Sequence, residues 1–498
     1  MKHPFALISI LAALLGSKTV LSEGIAHTEA TPERERPNVL FILIDDLGWK
    51  DTGFMGSDFY ETPHLDHLAS ESMVFTQAYA CAANCAPSRA SLMSGQYTPR
   101  HEIYNVGTQA RGKAAHRRLE HVAGTATLRR DIPTWANALQ QEGYKTATLG
   151  KWHLSDDPTP YGFDLNVGGT HAGSPPKGYY PPHGKAPGLE AVPPEEFLTT
   201  TLGHRAVDFI TQHHDSPWAV YLTLFAVHTP IQAKKDLLAP YKDKTPGRLH
   251  QNVAMATMVQ AVDDTVGMIM ERLRELELDD HTIVVFFSDN GGYGPATDMA
   301  PLKGYKGTYY EGGIRVPCFV RWPGITQTGT INATPIIGVD FYPTLLEMTH
   351  TPMPAGLKLD GMSLVPLLKG ASLPTRALYW HFPAYLQSYG AGHTLEQRDP
   401  LFRSRPVGVI REGPWKLMEF FESGDLELYH LDEDIGETQN LVAQHPDKAK
   451  AMHAALKQWQ QSMGAPIPTK PNPSFNAIEE QRAINQVIDR RRALQQVP

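Results

Sequence analysis

Short runs of β-branched and aliphatic residues alternate with helical patterns along the chain from residue 37 onward. This alternation is typical of an α/β domain with a mainly parallel central sheet between layers of helices. Between the third and fourth runs, apolar residues recur at intervals of three and four, which predicts a core helix. The predicted strands are residues 39–44, 146–150, 219–225 and 282–287. The apolar positions of the helix are Val259, Val262, Val266, Ile269 and Leu273.

The pattern changes near residue 374. Shorter apolar runs follow, separated by turn signals, and they predict a smaller C-terminal domain with a four-stranded antiparallel sheet. These runs are residues 377–381, 407–410, 415–421 and 426–429. The predicted organisation is a large α/β domain at 37–374, the antiparallel-sheet domain at 375–470 and a tail at 471–498 with a helical pattern.

The N-terminus has the features of a secretory signal. Lys2 precedes an apolar run at residues 5–15, and small and polar residues follow. The run is too short to span a bilayer comfortably, so we expect no stable membrane anchor. Residues 1–36 are therefore predicted to be a signal peptide and linker that export the protein to the periplasm or the cell exterior.

Charge and cysteine content argue against two classes of protein, nucleic-acid-binding proteins and disulfide-stabilised scaffolds. The formal net charge is -8 and no long Lys/Arg block occurs, so we expect no nucleic acid partner. Three cysteines in an exported chain cannot all pair, so they do not form a disulfide framework. At least one of the three thiols must therefore have a role other than forming a disulfide.

Polar residues follow each of the four predicted strands. The carboxyl ends of parallel strands meet at one edge of a sheet, where α/β proteins bind ligands, so these side chains are expected to converge. Adjacent carboxylates repel each other unless a cation neutralises them, and oxygen donors favour Ca²⁺ or Mg²⁺ over zinc. The alternative for the first two carboxylates is that they cap a helix. The residues are Asp45 and Asp46, then Lys151 and His153, then His228, then Asp289 and Asn290.

The sequence around Cys85 suggests an anion site. Pro87 and the residues after it predict a helix that begins near Cys85, and backbone N–H groups at a helix N-terminus favour an anion. Arg89 adds a planar donor suited to an oxyanion. Cys-x-Pro-Ser-Arg, followed by Ser-x-x-x-Gly, resembles the signature of type I sulfatases, which belong to the alkaline phosphatase superfamily.

The resemblance extends over nearly the whole chain after residue 36. Asp-Asp-Leu-Gly at residues 45–48 and Ser-Asp-Asn-Gly-Gly at 288–292 resemble the metal-binding segments of the family. The sequences at 411–416 and 436–441 are similar to its C-terminal pattern. The remaining matches are Gly-Lys-Trp-His at 150–153, His-x-Pro at 228–230 and Gly-Tyr-Lys-Gly at 304–307.

This resemblance implies that Cys85 is oxidised to formylglycine by a separate enzyme, either a formylglycine-generating enzyme or an anaerobic sulfatase-maturing enzyme. Cys81 and Cys318 are interpreted as ordinary buried thiols. The implied metal is Ca²⁺ rather than Mg²⁺. The implied metal ligands are Asp45, Asp46, the modified Cys85, Asp289 and Asn290. The implied catalytic residues are Cys85, Arg89, Lys151, His153, His228, Asp289 and Lys306.

The implied mechanism uses the hydrated aldehyde. One hydroxyl of this gem-diol, with Asp289 as base, attacks sulfur and expels the alcohol, which His228 or Lys306 protonates. His153 then takes the proton of the second hydroxyl, so that sulfate leaves and the aldehyde forms again. Lys151 and Arg89 are expected to hold the sulfate and the gem-diol respectively.

The expected substrate is a sulfated carbohydrate or polysaccharide. Two alternatives remain open at this point: a phosphomonoesterase or phosphodiesterase of the same superfamily, and a secreted glycan-binding protein without activity. Candidate substrate-binding residues are His171, Lys303, Arg315, Trp380, His381 and Arg405.

Overall fold

The central strand of the structure is the apolar run that begins at Asn38, and every residue of it is buried. The computed structural model describes residues 36–389 and 398–495, so the predicted signal peptide and linker lie outside the described residues except for Arg36. The strands are β1 (Asn38–Ile44), β2 (Met73–Phe75), β3 (Ala78–Tyr79), β4 (Lys145–Gly150), β5 (Leu165–Val167), β6 (Trp218–Thr223), β7 (Thr282–Ser288), β8 (Arg315–Val316), β9 (Cys318–Arg321), β10 (Thr330–Asn332), β11 (Ile336–Ile337), β12 (Ala377–Phe382), β13 (Leu386–Gln387), β14 (Phe402–Ser404), β15 (Val407–Glu412), β16 (Trp415–Phe420) and β17 (Leu426–His430).

Helices follow most of the longer strands. The α-helices are α1 (Pro63–Ser70), α2 (Cys85–Ser94), α3 (Thr98–His101), α4 (Trp135–Gln141), α5 (Leu198–Gln212), α6 (Leu238–Lys242), α7 (Val253–Glu275), α8 (Glu311–Ile314), α9 (Phe341–Met348), α10 (Val365–Leu368), α11 (Pro446–Met463) and α12 (Ala477–Gln495). Short 3₁₀ turns occupy Gly53–Met55, Ala114–His116, Thr159–Tyr161, Lys235–Leu237, Asp279–His281 and Gly338–Asp340.

The large sheet has eight strands in the order β10-β2-β9-β7-β1-β6-β4-β5. The five strands from β7 to β5 in this order run parallel, and β9 is antiparallel to both of its neighbours. Ile44 pairs with Ser288 of β7, and Leu43 pairs with Thr223 of β6, so these strands end at the same edge. The predicted fold class, including the mainly parallel sheet, is confirmed.

Side chains of β1 alternate between two hydrophobic cores, as the period of a strand requires. Leu40 and Ile42 join the core that contains residues of α5 and α7. Val39 and Phe41 join the core on the opposite face, which contains residues of α4 and α9. The sheet is thus covered by helices on both sides.

The predicted core helix is α7. All five of its predicted apolar positions are buried. Among the described helices, α7 is long and apolar enough to suit a membrane span, but 72% of its apolar window is buried within the protein. Burial of this kind is typical of a core helix.

The second sheet consists of β12, β15, β16 and β17 in that order, all antiparallel, as predicted. One face packs on α11 through Leu417, Leu428 and Leu456. Residues from Arg36 onward form one compact unit, and the domain boundary proposed near residue 374 stays a prediction. Within the tail, Ala477–Gln495 form α12.

Candidate active site

Four loops meet at the carboxyl edge of the large sheet, directly after β1, β4, β6 and β7. Backbone hydrogen bonds join them: Asp45 N donates to Ala226 O at 3.0 Å, and Asp289 N donates to Ile44 O at 3.1 Å. Asp46 has a φ of 62°, which is uncommon for a residue with a side chain and indicates local strain. The loops therefore hold the acidic side chains in a fixed arrangement.

Asp45 and Asp46 are fully buried, and each contacts a lysine. Lys151 Nζ donates to Asp45 Oδ2 at 2.6 Å, and Lys306 Nζ donates to Asp46 Oδ2 at 2.7 Å. Burial raises the pKa of Asp45 to about 8, although Lys151 opposes this shift. Burial would also raise the pKa of Asp46, but Lys306 and His228 hold that pKa well below its usual range. Each buried carboxylate thus has a lysine partner, but the pKa of Asp45 is raised and that of Asp46 is lowered.

Arg89 connects the four loops. Its Nε donates to Asp289 Oδ2 at 2.7 Å, and one terminal nitrogen donates to Lys151 O at 2.9 Å and to Thr223 Oγ1 at 2.5 Å. The side chain has no solvent exposure. The other oxygen of Asp289 accepts a bond from Asp46 N at 3.2 Å. Arg89 is therefore a buried residue that positions the acidic side chains and is not exposed to the cavity.

Cys85 is the first residue of α2, and Asn84 is the N-cap. The helix begins where the sequence predicted. Cys85 Sγ and one carboxylate oxygen each of Asp45 and Asp46 lie within 4.8 Å of one another. Burial raises the pKa of the Cys85 thiol to about 11, although Lys151 and Lys306 act in the opposite direction. An unmodified thiol here is therefore protonated at neutral pH and is a poor nucleophile.

The donor set suits a hard metal ion. Asp45 Oδ1 and Asn290 Oδ1 are buried and accept no hydrogen bond from the described residues. Asn290 Nδ2 donates to Asp46 Oδ1 and to Gly291 O, both at 2.9 Å, which leaves the amide oxygen as the free ligand atom. Buried acceptors need a partner, and carboxylate and amide oxygens are ligands that Ca²⁺ and Mg²⁺ prefer.

The helix-cap interpretation of Asp45 and Asp46 does not agree with the structure. The next helical turn in the chain is Gly53–Met55, and its N-cap is Thr52. The acidic pair thus lies in a loop that faces the other strand ends.

A cavity of about 360 Å³ opens onto this centre. Its wall includes Asp46, Cys85, His153, His228 and Lys306. Such a volume is near the lower end for small-molecule sites. The structure thus brings five of the predicted site residues together around one cavity, while Asp45, Arg89, Lys151, Asp289 and Asn290 lie behind its wall.

Two histidines of the cavity wall are held in the neutral form. Burial, reinforced by Lys306, lowers the pKa of His228 to about 3, and burial with Lys151 lowers the pKa of His153 well below its usual value. His228 Nδ1 lies 2.8 Å from the carbonyl oxygen of Thr229, which only accepts, so Nδ1 carries the proton. His153 Nδ1 makes no hydrogen bond with the described residues.

Of the candidate substrate-binding residues, His171 lies beside His153 of the cavity wall. Its ring is 6.2 Å from that of His153, and its Nε2 is 3.0 Å from Ala126 O. Gly173 and Ser174 of the same loop form part of the cavity wall. This loop therefore borders the site.

The other candidates do not line the cavity and are occupied by contacts within the protein. Trp380 Nε1 donates to Ala80 O at 2.8 Å, and His381 Nε2 lies 2.9 Å from Pro466 O. The other three are engaged as follows: Arg315 Nε with Thr76 O at 2.9 Å, Lys303 Nζ with Glu437 O at 3.1 Å, and Arg405 with Glu422 at 2.7 Å and Glu480 at 2.8 Å.

The sequence interpretation missed several residues of the cavity wall, among them Arg111, Arg403, Tyr293 and Tyr389. None belongs to a motif or directly follows a strand of the large sheet. Arg403 lies in β14, a three-residue strand that the apolar pattern does not indicate. Tyr293 directly follows the Ser-Asp-Asn-Gly-Gly segment at 288–292, which could have indicated its position near the site. No signal in the sequence places Arg111, Arg403 or Tyr389 beside Cys85.

The two C-terminal motifs, at residues 411–416 and 436–441, contribute to a buried ion-pair network. Lys416 Nζ contacts Glu311 at 3.0 Å and Glu437 at 2.8 Å, and all three side chains are fully buried. Glu311 N also donates to Glu437 at 2.7 Å. Glu311 follows the loop that contains Lys306, so the second sheet holds this loop in place.

Comparisons with known proteins agree with this architecture. A family model described as Sulfatase matches residues 37–351, and one described as N-sulphoglucosamine sulphohydrolase, C-terminal, matches residues 305–463. The chain is similar to a protein named Sulfatase from Formosa agariphila, with 32% identity over 87% of this chain and 90% of that protein. It is 31% identical to N-acetylgalactosamine-6-sulfatase from Homo sapiens, over 69% of this chain and 68% of that protein.

A solved structure described as Ps i-CgsB in complex with k-i-k-neocarrahexaose superposes with a TM-score of 0.70 and 26% identity, and covers 91% of this chain and 99% of that chain. The family models together span both sheets of the fold. The chain belongs to the sulfatase family and is an enzyme that hydrolyses sulfate esters.

Proposed function

We propose that this enzyme is an exported, calcium-dependent sulfatase that removes O-sulfate from a carbohydrate by means of a formylglycine formed from Cys85. One observation carries the proposal. Cys85 begins a helix at the wall of a cavity, and its Sγ lies within 4.8 Å of carboxylate oxygens of Asp45 and Asp46. The residue at position 85 therefore meets a cation site on one side and substrate space on the other.

The proposed calcium ligands are oxygens of the four strand-end residues and of the modified residue 85. When bound, the ion supplies positive charge to sulfate oxygens, and the hydrated aldehyde supplies a hydroxyl nucleophile. Ca²⁺ is proposed over Mg²⁺ because it accepts larger and less regular ligand sets. The strand-end ligands are Asp45, Asp46, Asp289 and Asn290.

Several side chains of this centre have defined tasks in the proposal. Arg89 and Lys151 fix Asp289 and Asp45, so that ligand and base geometry is set before substrate arrives. Lys306 presents an ammonium group to the cavity, where it can donate a proton or hydrogen bond to the leaving oxygen. His228 presents Nε2 to the same space, because its Nδ1 donates to a backbone carbonyl. In this neutral form Nε2 has no proton to give, so protonation of the leaving oxygen is proposed for Lys306 rather than for His228.

His153 is proposed to accept the proton of the second hydroxyl on residue 85. Its Nδ1 has no hydrogen-bond partner among the described residues, and it lies in the cavity wall. A Cβ atom added at Gly173 would approach His153 Cε1 to 2.4 Å, so the ring is closely confined by this loop. A confined neutral imidazole is well suited to take a proton in a fixed direction.

A sulfated carbohydrate is the proposed substrate class. The Homo sapiens relative is named for an N-acetylgalactosamine 6-sulfate activity, and the solved structure described above contains a neocarrahexaose. The cavity wall of this chain carries Tyr293, whose ring can pack on the apolar face of a sugar. Its lysine and arginine side chains suit anionic groups of the substrate.

Export is proposed from the charged start and apolar run at residues 5–15. The proposed partner before export is a formylglycine-generating or anaerobic sulfatase-maturing enzyme. N-terminal sequencing of the protein recovered outside the cytoplasm checks this part. Recovery of the uncleaved chain in the cytoplasm would contradict it.

The function is tested by sulfate release from defined sulfated mono- and oligosaccharides, with enzyme co-expressed with a maturation enzyme. We expect release from a restricted set of sugars and turnover of nitrophenyl sulfate well above that of nitrophenyl phosphate. Preference for the phosphate would support the phosphoesterase alternative. Binding of sulfated glycans without any release, in protein with confirmed formylglycine, would support the glycan-binding alternative.

A further inference from the structure

Two arginines lie in the wall of the same cavity as Cys85 and have no assigned task in the reaction. They are Arg111, in an irregular segment, and Arg403, in β14. Both are half-buried, and neither forms an ion pair with a carboxylate of the described residues. Two partly desolvated guanidinium groups in one cavity are unfavourable unless an anion joins them.

Arg405, two residues after Arg403, shows how this chain treats an arginine that serves the structure. Its guanidinium donates to Glu422 at 2.7 Å and to Glu480 at 2.8 Å, and also contacts Asp399. Its charge is fully compensated within the protein. No carboxylate among residues 36–389 and 398–495 compensates Arg403 in this way, so the contrast separates a structural arginine from one that faces a ligand.

Arg403 is held in place without using all its donors. Nε donates to Gln387 O at 3.0 Å, and one terminal nitrogen donates to Lys306 O at 3.3 Å. The guanidinium carbon lies 3.8 Å from the ring centre of Tyr389. A guanidinium has five N–H donors, so these two bonds leave three for a ligand. Contact with Lys306 places Arg403 beside the residue that faces the leaving oxygen.

The backbone around Arg111 is also fixed, although it has no regular secondary structure. Ala110 forms an isolated bridge with Tyr385. Arg117 donates to the carbonyl oxygens of Ala110 and Gly112, both at 2.6 Å, on either side of Arg111. The side chain of Arg111 is therefore presented from a rigid base, which favours specific recognition.

The two charges affect each other. Burial lowers the pKa of Arg111, and the nearby Arg403 lowers it further. An oxyanion between or beside the two groups would remove this repulsion and accept short, charge-assisted hydrogen bonds. Planar guanidinium groups match the geometry of sulfate and carboxylate oxygens.

We propose that Arg111 and Arg403 form a second anion subsite, which binds a sulfate ester or carboxylate of the sugar other than the sulfate that is removed. The subsite lies on the Lys306 side of the cavity, so it contacts the alcohol portion of the ester. This inference rests on the proposed carbohydrate sulfatase function and deepens it: the preferred substrate carries two or more anionic groups.

The test compares three substrates with one sugar skeleton: a monosulfate, a disulfate, and a sulfate with a carboxylate. We expect the wild-type enzyme to prefer a dianionic substrate in kcat/KM. In Arg111→Gln the ratio of dianionic to monosulfated kcat/KM should fall by about tenfold or more, as expected for loss of a charge-assisted hydrogen bond. The better of the two dianionic substrates identifies the oxyanion. Arg130→Gln removes the same charge from an exposed position and should leave the ratio unchanged.

Arg111→Lys keeps the charge but not the forked donors, so its ratio should be intermediate. This variant also keeps the subsite testable if Arg111→Gln does not fold. Equal ratios in wild type, Arg111→Gln and Arg403→Gln would overturn the subsite while leaving the sulfatase function intact. If the wild type released no sulfate from any ester, the proposed function would fail first. Binding of the same three sugars to Cys85→Ser protein would then decide the subsite, and equal affinities for all three would exclude it.

Discussion

The ammonium nitrogen of Lys416 on β16 lies 3.0 Å from a carboxylate oxygen of Glu311, the first residue of α8. The pair links the antiparallel sheet to the loop that contains Lys306. Glu437, Tyr79 and Arg315 extend the network: Tyr79 donates to Glu311 at 2.7 Å, and Arg315 lies 3.5 Å from the same residue. The second sheet thus supports one wall of the active site.

Replacing Lys416 should damage both stability and activity. Lys416→Met leaves Glu437 buried without its cation and leaves Glu311 with only Arg315, at 3.5 Å, which lowers the free energy of unfolding by about 3–5 kcal/mol. The Lys306 loop loses its support, so kcat should fall as well. Urea unfolding and turnover of an aryl sulfate measure the two effects.

Lys448→Met is the matched control. Lys448 pairs with Glu412 at 3.0 Å on the surface of the same sheet, and both side chains are substantially exposed. Its removal should change the unfolding free energy by no more than about 1 kcal/mol. Equal losses in the two variants would show that the buried network has no special role.

Gly150, at the end of β4, should tolerate no side chain. Its φ is 112°, and an added Cβ would lie 2.0 Å from Thr223 O on the neighbouring strand. Gly150→Ala must therefore separate β4 from β6 and displace Lys151. Gly143→Ala has a similar φ of 85° but meets nothing within 4 Å, so it should lose only about 1–2 kcal/mol. Urea unfolding that gave equal losses for both would contradict the steric account.

Calcium should stabilise the folded protein. At a free concentration of about 100 times Kd, binding adds about 2.7 kcal/mol and raises Tm, and a chelator reverses this. Asn290→Leu removes an amide oxygen ligand and should weaken or abolish the shift. Asn166→Leu, in β5 at the sheet edge, should lose its local hydrogen bonds to Gly169 but keep the calcium response. Calorimetry with no calcium shift in the wild type would argue against the metal site.

His250 should make stability depend on pH. Burial alone would lower its pKa, but Asp51 at 3.3 Å and Asp58 at 3.5 Å raise it above 6.5, while Tyr60 stacks on the ring. A raised pKa means that this stabilisation is complete below the unfolded pKa and is lost as pH rises through the folded pKa. The advantage of wild type over His250→Gln should thus be larger at about pH 5.5 than at about pH 8.5 in urea unfolding. A constant difference would contradict this ion pair.

The convergence of the acidic residues could be predicted because it follows from local patterns. Asp45 and Asp289 each come directly after a buried apolar strand, and parallel strands end at one edge. The position of Cys85 at a helix N-terminus was likewise readable from Pro87 and the residues after it. These features depend on short stretches of sequence and a general rule of topology.

The substrate side of the cavity could not be predicted in the same way. Arg403 and Arg405 are two residues apart, and only long-range contacts determine that Arg405 meets carboxylates while Arg403 faces the cavity. Trp380 and His381 were predicted to bind substrate, but the structure uses them internally. Both are buried, since the second sheet packs on both faces, and each finds a backbone carbonyl.

The central claim is that the residue at position 85 acts as formylglycine. The decisive measurement combines mass spectrometry of the peptide containing Cys85 with sulfate release by the same preparation, for wild type, Cys85→Ser and Cys81→Ser. Cys81 is also buried and lies four residues earlier, so it controls for loss of a buried thiol. We predict formylglycine and turnover in wild type and Cys81→Ser, and a folded but inactive Cys85→Ser. Sulfate release by purified Cys85→Ser at the wild-type rate would contradict the account.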